Sequence, residues 1–146
     1  METKKNQGNK SVNTVITTHV NADFDALASM YAAQKLYPDA TIVFPGSQEK
    51  NLRDFLIHSM VYLLNMTDIK DIDFSSIKRL ILVDTRQPHR IGKLADLLGQ
   101  PDIEIHIYDH HPEMAGDIKG DYEVIRQTGA TITILTEIIQ KKGLGC

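Results

Sequence analysis

The sequence predicts an α/β fold: a doubly wound, mainly parallel five-stranded sheet with helices on both faces. Short runs of β-branched and apolar residues alternate along the chain with longer segments in which apolar residues recur at helical spacing. Strands and helices that alternate in this way form parallel sheets with right-handed crossovers. In such sheets ligands bind outside the carboxyl ends of the strands, where the strand order reverses. The functional site is therefore expected at the carboxyl ends of the predicted strands.

The first half of the chain supplies two strands and two helices. Residues 14–19 are a short β-branched run and predict a strand, and 25–37 show helical spacing on an alanine-rich face before a proline ends the helix. Residues 40–46 predict the second strand, closed by a Pro-Gly pair. The apolar stripe through 47–64 predicts the second helix, and the polar segment 65–78 predicts a connection.

The second half of the chain continues the alternation. Residues 79–85 are almost wholly apolar, as in a strand buried on both faces. A helix over 90–99 ends at a glycine, and strands follow over 103–111 and 121–127. Residues 129–143 are rich in β-branched side chains, but their length and their Gly-Ala start favour a helix.

Composition limits the class of protein. The chain has 146 residues, 42% hydrophobic and 24% charged, and a net charge of -3, which fits one globular domain without an evident basic face for nucleic acid. The single cysteine, Cys146, excludes a disulfide framework or a cysteine-based zinc site within the chain, and predicts a reducing, cytoplasmic location. No apolar run is long enough to span a membrane, so we expect no membrane partner. We expect a flexible tail over 1–12 and a single domain over 13–146.

Ligand-type side chains follow three of the predicted strands. Parallel strands bring their carboxyl ends to one edge, so these side chains should converge. Any one of the aspartates alone would more often be a helix cap, but three strand ends of this kind on one rim favour a shared site. The other histidines, His58, His89 and His106, are expected to be structural or solvent-facing. The converging residues are His19, Asp23, Asp25, Asp84, Asp109, His110 and His111.

The chemistry of this residue set indicates metal ions. Several carboxylates in a small volume repel one another unless cations neutralise them. Oxygen and imidazole ligands without thiolates favour manganese, magnesium or iron over zinc. The ligands suffice for two ions bridged by one carboxylate, an arrangement suited to hydrolysis of phosphate esters.

Four motifs in order resemble those of the DHH phosphoesterase superfamily. They are HVNADFDALAS, ILVDT, YDHHP and TGATITILTE. The resemblance covers nearly the whole chain and is nearest to the N-terminal DHH domain of long bacterial proteins that also contain CBS domains and a tRNA nucleotidyltransferase or poly(A) polymerase-like part. It implies a role in RNA processing. Members of the superfamily carry a further aspartate ligand and a smaller closing domain after these motifs, so we expect the chain to be an incomplete DHH domain.

The resemblance also implies roles for single residues. His19 and Asp23 resemble ligands of one metal ion, and Asp25 and His110 resemble ligands of the second. Asp84 resembles the bridging carboxylate. The expected cofactors are two Mn2+ (or Mg2+) ions. The remaining expectations are that His111 faces the substrate phosphate, that Asp109 orients the imidazoles as part of the catalytic apparatus, that Arg86 binds substrate, and that Thr18 and Asn21 lie near the rim.

Three functions remain open from the sequence. The leading hypothesis is a metal-dependent phosphoesterase or phosphodiesterase acting on nucleotides, short RNA or DNA, or polyphosphate. The alternative is a non-catalytic regulatory module that binds nucleotide or metal. The third is a receiver-like binding domain, which predicts no affinity for Mn2+. Expected partners are the nucleotide or oligonucleotide substrate, further domains of a longer chain, and a second copy in a homodimer.

Overall fold

The computed structural model describes residues 10–58, 65–127 and 129–144. Seven strands lie in these residues and form two parallel sheets. They are β1 Lys10–Ser11, β2 Thr14–Thr17, β3 Thr41–Ile42, β4 Ile72–Asp73, β5 Arg79–Val83, β6 Glu104–Asp109 and β7 Tyr122–Ile125.

The main sheet has five strands in the order β3-β2-β5-β6-β7, and every neighbouring pair is parallel. The predicted α/β class and five-stranded parallel sheet are therefore confirmed. The chain runs outward from β2 in both directions, to β3 on one side and through β5 and β6 on the other. The switch in strand order thus lies between β2 and β5, where the sequence places the first two ligand-bearing strand ends.

Three α-helices are described: α1 Phe24–Leu36, α2 Lys50–His58 and α3 Thr131–Lys141. All three contribute to the core on one face of the sheet, where alanines of α1 and leucine and isoleucine side chains of α3 pack on the strands. Helix α2 begins three residues later than predicted, and residues 59–64 of the predicted helix lie outside the described residues.

The other face of the sheet differs from the prediction. The α-helix expected over 90–99 is replaced by two short 3-10 helices, Pro88–Arg90 and Gly92–Leu97. Gly92, the first residue of the second 3-10 helix, has φ at +55°, and a Cβ atom there would lie 2.5 Å from the carbonyl oxygen of Pro45. The backbone is therefore turned and packed too closely for a continuous α-helix.

The two faces are filled by alternate residues of each strand. Ile16 belongs to the core under the α-helices, whereas its neighbour Val15 belongs to the core under the 3-10 helix Gly92–Leu97. The crossovers from β2 to β3 and from β5 to β6 move in opposite directions across the sheet and cover opposite faces. The two crossovers therefore have the same hand, as expected of a doubly wound sheet.

The start of the described chain is not a free tail. Lys10 and Ser11 pair in parallel with Ile72 and Asp73, and Val12 is buried. This pairing differs from the flexible tail predicted for 1–12, of which residues 1–9 lie outside the described residues. The pairing also gives structure to part of the predicted polar connection 65–78. In the residues that the structure describes, none of the helices has the length and apolar character needed to cross a membrane.

Candidate functional site

A pocket of about 480 Å³ lies at the carboxyl ends of β2, β5 and β6. The first turns of α1 and α3 close its sides, so the positive ends of two helix dipoles face it. Every predicted catalytic and metal-binding residue lines it, as does Arg86. Its lining comprises His19, Asp23, Asp25, Ser29, Asp84, Thr85, Arg86, Gln87, Arg90, Asp109, His110, His111, Pro112, Met114, Asp117, Ala130, Thr131 and Ile132.

His19 is held at the end of β2 with one ring nitrogen facing the pocket. The hydroxyl of Thr18 donates a hydrogen bond of 2.8 Å to the carbonyl of Val83, which joins the ends of β2 and β5. Nδ1 of His19 lies 2.9 Å from the carbonyl oxygen of Val20, and since a carbonyl only accepts, Nδ1 carries the hydrogen. Nε2 then lies 3.5 Å from Oδ2 of Asp84. Only the protonated ring can also donate from Nε2, so the hydrogen bond to Asp84 raises the pKa of His19, although burial opposes this shift.

Asp84 follows β5 in a left-handed backbone conformation, with φ at 66°. Its Oδ1 accepts a 3.1 Å hydrogen bond from the hydroxyl of Thr131 and lies 3.2 Å from Nε2 of His110. Burial alone would raise the pKa of Asp84. Hydrogen bonds from His19 and Thr131 outweigh that effect and hold this pKa below its ordinary value. The carboxylate is therefore ionised, and side chains from three separate segments of the chain approach it.

Two groups of metal-ligand atoms meet at Asp84. One consists of His19, Asp23 and Asp84, the other of Asp84, His110 and His111, and in each group the ligand atoms lie within 4.8 Å of one another. One carboxylate shared by two such groups is the arrangement expected of a bridging ligand. The nitrogen and carboxylate donors also fit divalent cations that prefer oxygen and imidazole over thiolate.

Asp23 and Asp25 differ in their placement. Oδ1 of Asp23 accepts a 3.0 Å hydrogen bond from the backbone N–H of Ala26 and so caps α1, while Asp23 also belongs to the first ligand group. Asp25 lines the pocket but belongs to neither group. Beside His110 the second group contains His111, which the sequence assigned to the substrate. A ligand role for Asp25 stays a prediction.

Behind the ligand groups lies a buried ionic network centred on Arg86. Its Nη1 donates to Oδ2 of Asp109 at 2.9 Å, and its Nε donates to Oδ2 of Asp117 at 3.1 Å. The other oxygen of Asp109 lies 2.7 Å from Nδ1 of His111, as expected of a residue that orients an imidazole. Two nitrogens of the Arg86 guanidinium group are thus bound to carboxylates of the chain itself. This geometry gives Arg86 a supporting role in the site, and the direct substrate contact expected of it stays a prediction.

Two residues of the site did not emerge from the sequence. The sequence showed Thr131 only as part of the Gly-Ala-Thr helix start, and its hydrogen bond to Asp84 depends on α3 beginning at the rim. Asp117 lies in a polar loop, and nothing in its surroundings distinguished it from other loop aspartates. Asn21, expected near the rim, has φ at 57°, and its backbone N–H bonds to Ser47, which ties the loop after β2 to the segment before α2.

Comparison with known proteins places these motifs in a family. A model described as "DHH family, N-terminal domain" matches residues 13–145. An A-adding tRNA nucleotidyltransferase of Geobacter sulfurreducens is 52% identical over 130 residues, which are 89% of this chain and 15% of that protein. The enzyme of the same name from Aquifex aeolicus is 31% identical over 131 residues, 89% of this chain and 14% of that protein. The chain thus spans about one seventh of the length of these two relatives.

A solved structure gives independent support for the fold. An exopolyphosphatase-related protein from Bacteroides fragilis superposes with a TM-score of 0.64 over 90% of this chain and 40% of that chain, at 19% sequence identity. The DHH family consists typically of metal-dependent phosphoesterases. The match over almost all of the sequence, with the ordered motifs at one rim, shows that the chain belongs to the DHH family and represents its N-terminal domain.

Proposed function

We propose that the chain is a phosphoesterase or phosphodiesterase domain that hydrolyses phosphate groups of nucleotides or short oligonucleotides with two Mn2+ or Mg2+ ions. The observation that carries this proposal is the position of Asp84 in both ligand groups. Divalent cations at these groups would supply neutralisation of phosphoryl oxygens and activation of a water molecule. The nucleotidyltransferase name of two relatives supports nucleotide or RNA substrates, and their greater length supports further domains as partners.

Side chains of the chain position the proposed metal ligands and the substrate. Thr131 and His19 hold the Asp84 carboxylate in place through its two oxygens. Asp109 holds His111 by Nδ1, so that only Nε2 of that ring remains for the pocket. Arg90 lines the same pocket and offers a cation for a substrate phosphate, a role better suited to it than to the doubly paired Arg86.

Nucleotide addition, the activity named for the relatives, belongs in this proposal to the part of those proteins that the chain does not span. The chain itself contributes hydrolysis. A cytoplasmic location and a homodimer stay predictions.

The test is a hydrolysis screen with and without Mn2+ on the purified chain and on any longer protein that contains it. Substrates are dinucleotides, short RNA, pyrophosphate and a phosphomonoester. We expect turnover that is lost on addition of a chelator and restored by Mn2+. Turnover that the chelator leaves unchanged would refute the metal-dependent mechanism.

A non-catalytic module that binds nucleotide or metal is the second candidate. It is favoured by the placement of Asp25, because the second ligand group then holds only one carboxylate beside its two histidines. Binding of Mn2+ and nucleotide without turnover of any substrate in the screen would select this candidate.

A further inference from the structure

A chain of four side chains links the loop after β6 to the imidazole of His111. Asp117 has 3% of its side chain exposed, and its Oδ2 accepts from Nε of Arg86 and, at 2.8 Å, from the backbone N–H of Met114. Arg86 in turn donates to Asp109, whose side chain is 1% exposed. Asp109 then contacts His111. Three charged side chains that are shielded from water thus connect the loop to the imidazole.

The loop is bound to Arg86 from both its backbone and its side chain. The backbone N–H of Ile118 donates to the carbonyl of Arg86 at 2.7 Å, next to the ion pair that Arg86 makes with Asp117. A guanidinium group presents its donors in a rigid plane, so two carboxylates bound to different nitrogens prevent its rotation. Without Asp117, Arg86 would keep only one carboxylate partner of this network and could turn about it.

The contact at the end of this link determines the tautomer of His111. A carboxylate oxygen can only accept, so Nδ1 of His111 carries the hydrogen in its 2.7 Å contact with Asp109. In the neutral ring the lone pair then lies on Nε2, the form that a metal ligand requires.

We propose that Asp117 is a positioning residue: through Arg86 and Asp109 it holds His111 in one orientation and in the Nδ1–H tautomer. It touches neither ligand group itself. The role assigned to His111 rests on the proposed metal-dependent function, whereas its tautomer can be observed without any metal.

The test compares Asp117→Ala with a matched control, Glu113→Gln. Glu113 lies in the same loop, and its side chain is 74% exposed and pairs only loosely with Lys119, so the control removes one charge without touching Arg86. The readouts are the ring-nitrogen chemical shifts of His111 by NMR in metal-free protein, and Mn2+ affinity by calorimetry. We expect Asp117→Ala to shift His111 toward a mixture of tautomers and to weaken Mn2+ binding about 10- to 100-fold, the usual range for residues behind a ligand. Glu113→Gln should change neither.

A conservative variant separates positioning from mere support of the fold. Asp117→Asn keeps an oxygen for Arg86 and Met114, so it should retain most of the wild-type tautomer. If the alanine variant does not fold, Asp117→Ser replaces it, because serine also lacks the carboxylate that binds Arg86 but leaves a polar group in the loop. Unchanged ring-nitrogen shifts of His111 in a folded Asp117→Ala protein would overturn the proposal. If the shifts change but neither wild type nor variant binds Mn2+, the proposed metal-dependent function fails while the positioning of His111 stands.

Discussion

Replacement of Asp84 by asparagine tests the centre of the site. Asp84 has φ at 66°, a region that asparagine tolerates and that would cost alanine about 1 kcal/mol. The asparagine variant therefore keeps the backbone and removes only the charge. In metal-free protein it weakens the acceptor for His19 and Thr131, which should lower the free energy of unfolding by about 1 to 2 kcal/mol, because bonds to charged groups exceed neutral ones by this order.

The larger effect is expected with metal present. At an Mn2+ concentration of 100 times Kd, binding stabilises the wild type by about 2.7 kcal/mol. For a chain of this size that corresponds to a rise in Tm of about 5 to 11 °C. Loss of the shared carboxylate affects both ligand groups, so the variant should show almost none of this rise.

The assay is thermal unfolding followed by circular dichroism over an Mn2+ titration. Asp39→Asn is the matched control, because Asp39 is exposed and follows the far end of α1, a helix of 13 residues and so about 20 Å long. The control should retain the full rise in Tm. An Asp84→Asn protein that shows the same Mn2+-dependent rise as the wild type, with two ions bound, would refute the bridging role of Asp84.

Two further predictions concern protons and the core. Mn2+ binding should release a proton and weaken as the pH falls, because the interaction with Asp84 raises the pKa of His19 and the ion requires the neutral ring. Calorimetry in two buffers of different ionisation enthalpy measures this release. Observed heats of binding that are the same in both buffers would contradict it. Tyr37→Phe should lower the free energy of unfolding, measured in urea, by about 1 to 3 kcal/mol, because the Tyr37 hydroxyl lies 2.7 Å from both His106 Nδ1 and the Tyr108 hydroxyl. An unchanged urea midpoint and slope would contradict this prediction and show that His106 and Tyr108 find other partners.

Much of the fold could be predicted because its determinants are local. β-Branched runs and helical apolar spacing depend only on neighbouring residues, and they located all five strands of the main sheet. The convergence of His19, Asp84 and Asp109 followed from one further fact, that parallel strands end at the same edge. The 3-10 helix Gly92–Leu97 could not be predicted, because the conformation of Gly92 depends on its close approach to Pro45, 47 positions earlier in the chain.

The sequence by itself determined which residue types lie at the rim and which strands, in order along the chain, carry them. Tertiary structure alone decided how those residues are paired. Arg86 lies between Asp109 and Asp117, and His111 joins His110 and Asp84 in the second ligand group. The substrate contact of Arg86 and the ligand role of Asp25 stay predictions. The physical reason is that a charged side chain can satisfy its hydrogen bonds with any of several nearby partners. Which partner it finds depends on loops such as 112–118, whose folded path is set by contacts with distant parts of the chain.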